Sequence, residues 1–124
     1  MPKRLHLLDS IGAIDQRCHD GVIVCGSHGG VSSSGFVLNS AVRPRAVFFN
    51  DAGIGKERAG IVALGLLESI GVACATYGHD TARIGDARDG YDFGVVTHIN
   101  PGAAAAGVRV GQLVHDAVEA IGAD

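Results

Sequence analysis

Short apolar runs of strand type alternate along this chain with stretches of helical spacing. The runs 5–8, 22–25, 46–49, 73–77 and 93–99 are bounded by Gly, Asp, Asn or Ser and read as five strands. A helix is expected from Ile11 to about Cys18, started by Asp9 or Ser10, and a second over 35–41, capped by Ser32, Ser33 or Ser34. The longest helix is expected over 56–70, closed by Gly71. Beyond Tyr77 a polar loop runs to Gly90, with a turn or two of helix capped by Asp80. Asn100-Pro101 starts a short helix that Gly107 ends, and 112–121 closes the chain with helical spacing. Strands alternating with helices predict a single α/β domain over residues 1–124. It would be a three-layer sandwich with a mostly parallel sheet of about five strands, in the flavodoxin-like order 2-1-3-4-5.

In a parallel sheet the carboxyl ends of the strands share one edge, and each run here ends in polar residues. Asp9-Ser10, Ser27-His28, Asn50-Asp51 and His79-Asp80 follow four of the runs, and His98 to Asn100 ends the fifth. His28 and His79 suit proton transfer near neutral pH, with Asp51 to orient them, and these three are the candidate catalytic residues. Gly29 and Gly30, with Ser27 and Ser32 to Ser34, offer backbone N–H groups, hydroxyls and a helix start to a carboxylate or phosphate. Lys56 and Arg83 follow their strands closely enough to neutralise an anion, Asn50 stands beside Asp51, and Asp9 and Ser10 form the rim. His98 is read as a structural residue pointing into the sheet.

The glycine-rich clusters match no named phosphate loop. After Gly53 and Gly55 the third dinucleotide-loop glycine is replaced by Arg58, and Glu57 stands where a Walker loop needs Ser or Thr. His28, His79, Asp51 and Asp86 have metal-binding chemistry but lack HxH or HExxH spacing, so no metal or other cofactor is expected. The stretch VVTHINPGAAAAGVRVGQLV resembles the middle of a PDZ domain. GGVSSSGFVL followed by VALGLLESIGVA is similar to the small swivelling subunit of aconitase-X-type dehydratases. The first likeness covers one segment and the second covers two, whose spacing differs from that family's, and neither function is carried over.

Composition narrows the partners. Among 124 residues 47% are hydrophobic and 19% charged, so a folded core is expected. The net charge is −3 and the ten basic residues are scattered, which argues against nucleic acid as a partner. No apolar run approaches a membrane span, and the start turns polar at Asp9, too soon for a signal-peptide core. Three cysteines without CxxC spacing suit a reduced, cytoplasmic protein, and Cys25, at a strand end, is expected to be buried and inert. With no Trp the core is Val, Ile, Leu and Ala, and the apolar circumference of 56–70 predicts a homo-oligomer through that helix. The expected function is acid–base chemistry on a small polar or anionic metabolite, of hydrolase or lyase/isomerase type. The alternative is a non-catalytic ligand-binding or assembly subunit of a larger complex.

Overall fold

The computed structural model describes residues 4–55 and 58–122. One five-stranded sheet organises them, its strands β1 (Leu5–Leu8), β2 (Val22–His28), β3 (Ala46–Asn50), β4 (Ala73–Tyr77) and β5 (Val96–Ile99) lying side by side in chain order. The first four are mutually parallel and β5 runs antiparallel to β4. This sequential order replaces the predicted 2-1-3-4-5. Parallel crossovers of one hand that always step the same way must all lie on one face of the sheet, and they do. Two 3₁₀ turns (Ile11–Ala13 and Gln16–Cys18) and the helices α1 (Val31–Leu38) and α2 (Ala63–Glu68) make those connections. Ile11, Cys18, Val37, Ala63 and Leu67 pack there against Ile23, Cys25, Val47, Phe49 and Cys74.

The opposite face is covered by the C-terminal third. The chain leaves β4 for α3 (Ala87–Phe93), and α4 (Pro101–Ala105) and α5 (Val114–Ile121) follow β5. Ala103, Val114, Ala117 and Val118 close over Val22, Val24, Phe48, Ala75, Tyr77 and Val96. Alternation along the strands thus sorts side chains into two cores, one per face, giving three layers.

Several boundaries differ from expectation for local reasons. The helix expected over 11–18 is two 3₁₀ turns, capped by Ser10 and Asp15. Helix α1 starts earlier than expected, from Gly30, so the serines fill its first turns and do not cap it. Helix α3 is capped by Asp86 in place of Asp80. Strand β5 begins at Val96, because Gly94 closes α3 just before it.

The helix expected over 56–70 is confined, among its described residues, to Ala63–Glu68. Arg58 has φ 61°, a left-handed backbone that breaks a helix. Ala63 and Leu67 are covered within the chain. The large exposed apolar side chains lie elsewhere, at Val31, Phe36, Ile84, Phe93, Val110 and Leu113. The apolar circumference that motivated an oligomer through 56–70 is therefore largely used internally. No helix among the described residues is long and apolar enough to cross a membrane.

Candidate active site at the reversal of the sheet

The antiparallel turn of β5 decides which groups meet. Because Tyr77 pairs with Val96, the start of β5 lies at the carboxyl edge of β4, and its end lies at the far edge. Asn100 is thereby removed from the expected cluster. It is buried, and its amide bonds Cys74, Ala103, Leu64 and Val72 backbone groups, tying α2, β4 and α4 together. Thr97, which the sequence reading passed over, takes a place at the edge. The register shift between Thr76 and Tyr77 accommodates it as an extra residue on β5.

Asp51 is the centre of this edge. Its N–H donates to the carbonyl of Tyr77, which fixes it beside the end of β4. The next four residues, Ala52 to Gly55, all have left-handed φ, between 50° and 73°. For the β-branched Ile54 that backbone is a true outlier. The turn is pressed under Asp51 by Gly60, where a Cβ would overlap the Asp51 carbonyl oxygen.

The Asp51 carboxylate is 6% exposed and takes four donors. Oδ1 accepts from the N–H groups of Gly53 (2.9 Å) and His79 (3.0 Å), and from Nδ1 of His79 at 3.3 Å. Oδ2 accepts from the Thr97 hydroxyl at 3.0 Å. Burial pushes this carboxyl up, but the bonds from Gly53, His79 and Thr97 outweigh it and hold it below the usual carboxylate range. An ionised carboxylate that leans on one imidazole nitrogen leaves the other nitrogen to face solvent, and the His79 side chain is 57% exposed. The network continues through Thr97 to the buried Thr76 hydroxyl (2.9 Å), which reaches Nδ1 of His98 at 3.3 Å.

The structure therefore brings Asp51 and His79 into contact and adds Thr97, Thr76 and His98. His28 stands apart from that contact. It occupies the exposed end of β2, paired in register with Asn50, and its ring lies over Gly30. The backbone donors expected to cradle an anion are partly engaged: Gly29 donates to Asn50 and Gly30 to His28. Ser34 bonds the Gly30 carbonyl, Ser33 is buried, and Ser32 is exposed.

Asn50 is fully buried between the Ala52 N–H and the Ala82 carbonyl. At the other end of the edge, Asp9 accepts from Ala87 N–H, Ser10 from Gly12 N–H and Ser27 from Ile11 N–H. Arg83 is exposed, and Lys56 lies outside the described residues. Asp86 caps α3. Among the described residues no group of three His, Cys, Asp or Glu side chains is placed to hold a metal ion. Cys25 is buried as expected, and burial pushes its thiol up to about 12, so it is no nucleophile near neutral pH.

A groove of about 720 Å³ lies away from these groups, between the first 3₁₀ turn and α1, lined by Ile14, Val31, Phe36, Asn39 and Ser40 among others. Asp51, His28 and His79 do not line it. Set against protein-family models, curated proteins and solved structures, the chain matches none.

Proposed function

We propose that this protein is an enzyme of hydrolase or lyase/isomerase type, acting on a small polar or anionic metabolite, with His79 exchanging the proton. One observation carries this reading: a buried, hydrogen-bonded carboxylate, Asp51, backs an imidazole that is more than half exposed. A carboxylate on Nδ1 orients the ring and fixes its tautomer, so Nε2 is free to take a proton from a substrate and return it. Four donors keep Asp51 ionised, so it acts as an orienting group and not as the acid. His28, at the end of β2, serves as the second proton-exchanging group. The exposed Arg83 supplies charge for an anionic substrate.

The test is a panel of small carboxylates, phosphate esters, amides and lactones, screened by thermal shift and by turnover. A true substrate loses about 10²-fold or more in turnover with His79→Gln, while its affinity changes little. Turnover that survives His79→Gln, or a panel that neither binds nor reacts, overturns the reading.

The alternative, a non-catalytic ligand-binding or assembly subunit, is supported by the groove along α1, where Val31 is 68% and Phe36 50% exposed. Association of copies would bury these side chains. Sedimentation then shows an oligomer that Phe36→Asp dissociates, and a wild-type monomer at micromolar concentration excludes self-assembly.

A further inference from the structure

We propose that the Asp51 carboxylate holds His98 in its Nδ1–H form through Thr97 and Thr76, leaving Nε2 of His98 as a further proton acceptor at this edge of the sheet. The assignment follows from counting donors along the network. An ionised carboxylate only accepts, so the single Thr97 hydroxyl proton goes to Asp51 Oδ2 at 3.0 Å, in preference to the Thr76 carbonyl at 3.4 Å. With its proton committed, Thr97 can only accept from Thr76, whose hydroxyl lies 2.9 Å away. The Thr76 proton is then committed as well. The remaining 3.3 Å link requires Nδ1 of His98 to donate. By the same rule Nδ1 of His79 donates to Oδ1. One negative charge therefore sets the tautomer of two imidazoles on different strands, and in each neutral ring the unprotonated nitrogen is Nε2. Two hydroxyls, one of them on a fully buried Thr76, are spent on reaching His98.

The catalytic use of His98 rests on the proposed acid–base role of this edge, but its tautomer does not, and the two are separable by experiment. Long-range ¹H–¹⁵N correlation spectra of uniformly labelled protein, recorded where the histidines are neutral, report which ring nitrogen bears hydrogen. Wild type is expected to show the Nδ1–H pattern for both His79 and His98. Thr97→Val severs the link and should release His98 to a mixture or to the Nε2–H form, while Thr97→Ser restores the wild-type pattern.

Asp51→Asn gives a second reading that keeps the side chain's shape. The Gly53 and His79 N–H groups aim at the Oδ1 position, so the new amide must place its carbonyl there and its NH₂ toward Thr97. That ends the obligation on Thr97 to donate outward, and the Nδ1–H pattern of His98 should be lost. An Nε2–H pattern for His98 in wild type, or one unmoved by either Thr97→Val or Asp51→Asn, overturns the proposal. If the expected tautomers are found and the metabolite panel fails, the enzymatic reading falls and the relay stands. If turnover depends on His79 but His98 ignores Asp51→Asn, the relay falls and the enzymatic reading stands.

Discussion

The two ends of the carboxyl edge use similar residues for different purposes. At the β1–β2 end, Asp9, Ser10 and Ser27 each accept a backbone N–H, from Ala87, Gly12 and Ile11. Those groups satisfy helix and turn starts. At the β3–β5 end, Asp51 also takes two backbone N–H groups, but it goes on to bond His79 and Thr97 side chains. The difference teaches that a polar strand end is first a solution to backbone desolvation. Chemistry becomes available where the acceptor has capacity left over and side chains converge to use it.

This comparison can be broken most forcefully at Gly60. Gly60→Ala should destabilise by about 3 kcal/mol or more, because its Cβ meets the Asp51 backbone and not a side chain that can swing away. Gly65→Ala, where a Cβ has no neighbour within 4 Å, is the control and should be neutral or slightly stabilising in urea denaturation.

Truncating the acceptors sharpens the contrast. Asp51→Ala takes a buried carboxylate away from two part-buried backbone donors and the His79 and Thr97 side chains and should cost roughly 2–3 kcal/mol, whereas Ser27→Ala at the other end should cost about 1 kcal/mol. Equal losses in chemical denaturation would erase the distinction between the two ends.

Acid should separate them more gently. The Asp51 carboxyl is held below its unfolded value, so its stabilisation is complete above about pH 4 and is lost as pH falls through the folded pKa. Asp51→Asn should therefore flatten the acid limb of the stability curve, and Ser27→Ala should lower the whole curve without changing its slope. The smallest effect concerns the thiols. Cys25 is raised to about 12 and Cys74 is also pushed up by burial, so neither should react with an alkylating agent in the native state near neutral pH.

The apolar patterning of the chain by itself determined the five strands, because each run is short, apolar and bounded by turn residues, and burial leaves few other uses for it. It also placed Asp51 and His79 at strand ends, and these two proved to touch. Strand order and the direction of β5 were not legible, since Val96–Ile99 has the same apolar character whichever way it runs. Tertiary structure decided both, by closing the second face of the sheet with α3, α4 and α5. That reversal carried Asn100 away from the edge and brought Thr97 in. Thr76 and Thr97 carry no local signal, being ordinary β-branched strand residues. Only the pairing of β4 with the reversed β5, beside the end of β3, gives their hydroxyls a carboxylate and an imidazole to join.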